Sequence, residues 1–208
     1  MNLKLPKVYP ITDTRLSGLS HAEQVRRLIE GGATLIQLRD KLASARDFYR
    51  EADAALRVAR DRHIKLIVND RVDVAFALKA DGVHLGQSDL PARVARHVLG
   101  PAAIIGLSTH NLEQARLAAE QPVDYIAFGP IFMTSTKEAP DPTTGLAALK
   151  SVRDVVDMPI VAIGGITISN AAKVLNAGAD AVATISSVIG DPAAISENIR
   201  RMFAEAPD

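Results

Sequence analysis

The sequence predicts an α/β protein folded as a single-domain (β/α)8 TIM barrel, and three observations carry that prediction. Short β-branched runs alternate with longer segments of helical periodicity, eight times along the 208 residues. Strand candidates such as LIV before Asn69 and IVAI before Gly164 are almost continuously apolar, as strands are when helices cover a parallel sheet. No linker-like stretch interrupts the chain, so one core over residues 1–208 is expected.

Taken in order, the strands are expected at 8–12, 34–39, 65–69, 82–85, 103–108, 125–129, 160–164 and 181–186. Helical periodicity follows, for example at 22–30, 45–61, 112–120, 147–156 and 170–176. About 26 residues per unit is compact for a fold that typically uses about 250 in all, so the loops must be short. The exception is FMTSTKEAPDPTT, residues 132–144, which is rich in Thr and Pro, lacks periodicity and is therefore expected to carry function. An open doubly wound sheet is the alternative architecture. No GxGxxG follows the first strand, however, and the Gly31, Gly32 pair ends a helix instead of beginning one.

Lys plus Arg and Asp plus Glu both total 24, so no overall field attracts nucleic acid or an anionic membrane, and any anion must be bound locally. The absence of Cys removes thiolate nucleophiles, disulfides and Cys-ligated zinc. No segment offers about 18 uninterrupted apolar residues, and the start has no leader pattern, so a cytoplasmic protein is expected. A homo-oligomer stays open.

The second strand, TLIQLRDK, is the most informative segment. Period two places Gln37, Arg39 and Lys41 on one face and Ile36 and Leu38 on the other. The helix-facing side must be apolar, so the cationic face points inward and toward the mouth, where an unpaired charge is costly to desolvate. Two partners satisfy it equally well: an anionic ligand, or a carboxylate such as Asp40 or one on a neighbouring strand. Asn69 and Asp70 end the third strand and Asp89 follows the fourth, where barrel active sites are built. Two carboxylates there suit Mg2+ that also takes phosphate oxygens; both also suit helix capping, since each precedes a helical segment. The fifth strand ends in Ser108, Thr109 and His110, open to both base chemistry and turn formation, and His84 within the fourth reads as a hydrogen-bonded wall residue. Gly164 and Gly165 after strand seven, and TIS after strand eight, suit a second anion site where backbone amides approach a phosphate; a tight turn that needs only backbone freedom is the alternative. Thr134, Ser135, Thr136 and Lys137 in the long loop offer hydroxyls and an ammonium that suit closing over phosphate, with a solvated polar loop as the alternative.

Taken together and in order, QLRDK, VND, HLGQSD, GLSTH, GPIFMTSTK, AIGGI and TIS resemble the thiamine-phosphate synthase family over essentially the whole chain. The resemblance implies a transferase that joins 4-amino-2-methyl-5-(diphosphooxymethyl)pyrimidine to 4-methyl-5-(2-phosphooxyethyl)thiazole, releasing diphosphate. By the same resemblance, Gln37, Arg39, Lys41, Asn69, Ser108 and Lys137 hold the pyrimidine diphosphate, with Arg39, Lys41, Ser108 and Lys137 acting in catalysis. Asp70 and Asp89 bind Mg2+, and Thr134, Ser135, Thr136, Gly165, Ile185 and Ser186 hold the thiazole phosphate. Met133 stands where the family often has Pro, which bears on loop rigidity. Two rivals remain at this point: a thiazole tautomerase of similar fold using His110 as base, which needs no diphosphate site, and a silent barrel that binds phosphorylated metabolites.

Overall fold

The computed structural model describes residues 4–134, 136 and 142–206. Eight parallel strands close into a barrel in sequence order: β1 Val8–Thr12, β2 Leu35–Leu38, β3 Lys65–Asn69, β4 Gly82–Leu85, β5 Ile104–Thr109, β6 Tyr125–Phe128, β7 Ile160–Ala162 and β8 Ala181–Thr184. Because β8 pairs with β1, for instance Tyr9 opposite Ala183, the open-sheet alternative is excluded. The helices are α1 Thr14–Ser17, α2 His21–Glu30, α3 Ala45–Arg60, α4 Val72–Leu78, α5 Ala92–Leu99, α6 Leu112–Ala119, α7 Gly145–Arg153, α8 Ala171–Asn176, α9 Ser186–Ile189 and α10 Ile195–Ala204. No helix among the described residues is long and apolar enough to cross a membrane.

Strands β1, β3 and β4 run as the sequence predicts, whereas β2, β6, β7 and β8 stop earlier at the mouth. At β7 the chain turns out of the extended region at Gly164, whose φ is 102°, and at β8 it leads straight into the short helix α9. The end of β2 at Leu38 corrects the strand argument: Arg39 and Lys41 project from the turn that follows. The alternation itself holds. Ile36, Leu38, Leu66, Val83, Ile105 and Phe128 pack between sheet and helices, and Tyr9, Ile11, Leu35, Ile67, Tyr125 and Val161 belong to a separate buried cluster, on the opposite faces of the strands, that fills the lumen.

At the amino end of the strands a repeated clamp closes the barrel. Asp81, Asp124 and Asp180, immediately before β4, β6 and β8, each accept a backbone N–H at the start of the preceding strand, from Leu66 (2.9 Å), Ile105 (2.7 Å) and Ile160 (2.8 Å). Each returns its own N–H to the same strand, to the carbonyls of Leu66, Ile105 and Ile160. Arg96 pairs with Asp124 at 2.7 Å and Arg153 with Asp180 at 2.9 Å.

Near the opposite end, a chain of buried polar groups spans the lumen. Gln37 Nε2 donates to the Tyr9 hydroxyl (3.2 Å), which meets the Tyr125 hydroxyl (3.1 Å); this in turn meets His84 Nδ1 (2.9 Å), and His84 Nε2 meets Ser108 Oγ (2.9 Å). Gly106 makes room for it, since a Cβ there would lie 2.1 Å from the Tyr125 ring and 2.5 Å from His84 Nδ1. Burial holds both tyrosine hydroxyls well above the usual phenol range, so they stay neutral. Burial also pulls His84 down to about 4, opposed by Asp89 and assisted by Lys41.

Two predictions follow from these contacts. Asp124→Ala strands the Ile105 N–H and removes the carboxylate partner of Arg96, and lowers the unfolding free energy by about 1–3 kcal/mol in urea titrations, with kcat of the folded fraction unchanged. Folding keeps His84 neutral down to about pH 4, whereas the unfolded chain protonates near 6.5. Stability is therefore complete above pH 6.5 and falls as pH drops toward 4, by about 3 kcal/mol in all. Buried His21 is lowered in the same direction, so the His84 share is read as the difference between urea titrations of wild type and His84→Gln across this window.

Candidate active site

The carboxyl ends of the strands surround a cavity of about 910 Å³. It brings together Gln37, Arg39, Lys41, Asn69, Asp70, Asp89, Ser108, Thr134, Thr136, Gly165, Ile185 and Ser186, residues singled out from the sequence on seven different strand ends and loops. Ser135 and Lys137, singled out with them, lie outside the described residues.

On the arc from β2 to β5 Arg39 and Lys41 are each paired with a carboxylate. Arg39 Nη1 donates to Asp13 Oδ2 at 2.7 Å, with both side chains largely buried. Lys41 Nζ pairs with Asp70 Oδ2. The carboxylate alternative for the cationic segment is thus realised, through Asp13 and Asp70; Asp40 instead accepts the N–H groups of Leu42 and Ala43. Asp70 adopts φ 62°, a left-handed conformation that Asp tolerates better than most residues, and its N–H donates to the His84 carbonyl at 2.8 Å.

Neither Asp70 nor Asp89 caps a helix. The α4 and α5 caps are Arg71 and Pro91, without side-chain hydrogen bonds. Asp89 Oδ2 accepts the Gly86 N–H at 2.6 Å, folding the β4 loop back on itself. Burial raises the Asp89 carboxyl, and the neighbouring Asp70 carboxylate raises it further against the Gly86 hydrogen bond and Lys41. A carboxyl whose charge is disfavoured by burial and by a neighbouring carboxylate suits a hard divalent cation. Among the described residues no group of three or more His, Cys, Asp or Glu is arranged to hold a metal alone, so a cation here draws further oxygens from ligand or water, as Mg2+ commonly does.

The polar chain across the lumen forms the floor of this arc. One assignment of protons satisfies every member: Gln37 donates to Tyr9, Tyr9 to Tyr125, Tyr125 to His84 Nδ1, and His84 Nε2–H to Ser108. The Ser108 hydroxyl proton is then left for whatever occupies the cavity. His110 Nδ1 lies 2.7 Å from the Gly129 carbonyl, to which it must donate, and its N–H bonds Gln114 Oε1 at 2.8 Å.

The arc from β6 to β8 is built of backbone. Phe132 N–H donates to the Gly164 carbonyl at 3.0 Å, so the loops after β6 and β7 lie together. Gly165, at φ 62°, lies where a Cβ would come 2.4 Å from the Met133 carbonyl. Only glycine meets both conditions, which unites the tight-turn and close-approach readings of this position. Asn170 holds the turn, donating to the Gly165 carbonyl (3.0 Å) and accepting from Thr167 N (2.8 Å). Ser186 begins α9 directly after β8, and on the neighbouring loop Thr136 N–H reaches Thr134 Oγ1 at 3.4 Å. Glycine turn and short extra helix together match the phosphate-binding corner common in this architecture.

Sequence reasoning missed Tyr9, Tyr125 and Asp13. The tyrosines read as ordinary apolar strand residues, and only barrel closure brings β1 against β6 across the lumen. Asp13 carried a legible signal, a polar residue at the carboxyl end of β1, of the kind used to select Asn69 and Asp89.

A family model described as thiamine monophosphate synthase matches residues 8–188. A thiamine-phosphate synthase of Chlorobium phaeovibrioides is 46% identical over 187 residues, covering 90% of this chain and 88% of that protein. Another, of Roseiflexus castenholzii, is 48% identical over 186 residues, covering 89% and 82%. The solved structure of a thiamine phosphate pyrophosphorylase from Pyrococcus furiosus superposes with a TM-score of 0.85 at 40% identity, over 97% of both chains. The chain belongs to the thiamine monophosphate synthase family, and its activity is that of a thiamine-phosphate synthase, a transferase.

Proposed function

We propose that the cavity binds 4-amino-2-methyl-5-(diphosphooxymethyl)pyrimidine on the arc from β2 to β5 and 4-methyl-5-(2-phosphooxyethyl)thiazole on the arc from β6 to β8. The observation that carries this reading is the presence of two unlike polar corners in one cavity: cations paired with carboxylates on one arc, and a glycine turn with hydroxyls on the other. Gln37, Arg39, Lys41, Asn69, Ser108 and Lys137 hold the pyrimidine diphosphate. Thr134, Ser135, Thr136, Gly165, Ile185 and Ser186 hold the thiazole phosphate. A cytoplasmic setting suits a chain without Cys.

Asp70 and Asp89 are the residues that would hold Mg2+, which when bound supplies positive charge to the diphosphate oxygens. Lys41, already paired with Asp70, exchanges that carboxylate for the diphosphate. Arg39, Lys41 and Lys137 then stabilise the negative charge that builds on the diphosphate as the bond between its oxygen and the pyrimidine methylene breaks. Ser108 donates its proton toward the same ligand, its lone pair taken up by His84. The thiazole nitrogen forms the new bond to the methylene carbon, and diphosphate leaves. No side chain acts as a nucleophile. The work of the protein is to neutralise charge and to hold two rings at attack distance, a contribution that reaches about 7–11 kcal/mol in well-oriented systems.

The direct test incubates the protein with both substrates, with and without Mg2+, and follows thiamine phosphate by mass spectrometry; product that is independent of Mg2+ would remove the metal from the scheme. Lys137→Ala should lower kcat on the order of 10²-fold with an unchanged thermal midpoint, and wild-type kinetics would refute its role at the diphosphate. Asp89→Asn should raise the Mg2+ concentration for half-maximal rate by at least about tenfold, whereas an unaltered Mg2+ response would displace Asp89 from the metal.

A further inference from the structure

We propose that Asp13 is a positioning residue for the transfer reaction, acting through Arg39; this rests on the reading that Arg39 holds the diphosphate. Asp13 follows β1 directly, and both its carboxylate oxygens are committed. Oδ1 accepts the N–H groups of Arg15 (3.0 Å) and Leu16 (3.3 Å), which fixes the carboxylate on the first turn of α1. Oδ2 accepts Arg39 Nη1 at 2.7 Å. Its own N–H donates to Gln24 Oε1 at 3.0 Å, and fully buried Gln24 is in turn fixed through Nε2 to the Leu19 carbonyl at 2.9 Å. The carboxylate cannot rotate without giving up the helix cap, so it presents Oδ2 to the guanidinium from a fixed place.

A guanidinium carries five N–H groups in one rigid plane, and clamping one of them orients the rest. Asp13 takes one; among the described residues Arg39 has no other hydrogen-bond acceptor, and its side chain lines the cavity. The remaining donors thus face a ligand in a set plane. A flexible arginine would bind an anion in many geometries, only some of which match the charge of the departing diphosphate.

Removing the carboxylate has two effects of opposite sign. Arg39 loses its clamp, and a negative charge vanishes from behind the anion site. The second effect favours ground-state binding, so the loss falls on kcat and not on affinity, which separates positioning from simple attraction.

Asp13→Asn isolates the clamp, because Asn caps a helix as well as Asp does through Oδ1, while its amide group cannot accept from Arg39. In the full-length protein we expect kcat to fall about tenfold to a hundredfold, with an unchanged thermal midpoint and no rise in the KM for the thiazole phosphate or in the Kd for inorganic diphosphate with Mg2+. In an Arg39→Met background the same substitution should change kcat by less than about twofold, as expected for residues acting as a unit. Asp13→Ser, which also caps, should behave like Asp13→Asn. An equal fall in kcat in both backgrounds, or wild-type kcat in Asp13→Asn and Asp13→Ser, overturns the proposal. Calorimetry of Arg39→Met with inorganic diphosphate and Mg2+ tells the two failures apart: undiminished binding refutes Arg39 as a diphosphate ligand, and weakened binding beside wild-type kcat in Asp13→Asn refutes the clamp alone.

Discussion

Charge withdrawn from water must find a partner, and the mouth of this barrel is arranged around that constraint. Arg39 lies against Asp13 and Lys41 against Asp70, while Asp89 takes a backbone N–H from Gly86. Such a site has little net field with which to attract a dianion from a distance. It discriminates at contact: a ligand that brings both phosphate oxygens and a cation supplies new partners to Lys41 and Asp70, whereas an anion alone must separate that pair without a substitute for Asp70.

The two ends of the barrel divide stability from chemistry by the same kinds of group. At the amino end, Asp81, Asp124 and Asp180 bind strand N–H groups, and Asp124 and Asp180 also pair with arginines, so these carboxylates are spent on the fold. At the carboxyl end the chain of hydrogen bonds from Gln37 ends on the Ser108 hydroxyl, which lines the cavity and is open to a ligand. This division explains why a carboxylate before a strand and a carboxylate after one have different meanings, although both read in sequence as polar residues beside apolar runs.

The barrel was legible because burial on both faces leaves an unmistakable mark, and the inward Gln37 beside outward Ile36 and Leu38 located the mouth. Strand ends were less legible where backbone conformation intervenes. Gly164 and Ile185 turn the chain away before the apolar run stops, so an apolar pattern overestimates the length of β7 and β8. The capping reading of Asp70 and Asp89 failed because α4 and α5 begin one or two residues later than the polar residue suggests, which frees both carboxylates for the mouth. What the sequence conceals altogether is contact across the lumen. Tyr9 and Tyr125 stand 116 residues apart, and their meeting depends on the stagger of a closed sheet, which no local pattern encodes.

That concealed contact also determines how His84 is to be understood. A histidine at a barrel mouth invites a role as a general base, yet its two ring nitrogens are both occupied, by Tyr125 and Ser108, and burial keeps it neutral throughout the ordinary pH range. A base must have a ring nitrogen free to take a proton from the substrate, and both nitrogens of His84 are already engaged within the protein. Its neutrality serves another end: a neutral imidazole bonded at both nitrogens transmits hydrogen-bond direction without carrying charge, so the Ser108 hydroxyl is oriented while no further cation is placed among Arg39 and Lys41. A reaction that needs charge balance and orientation, and whose substrates already contain their nucleophile and leaving group, is served by this arrangement better than by a titrating base.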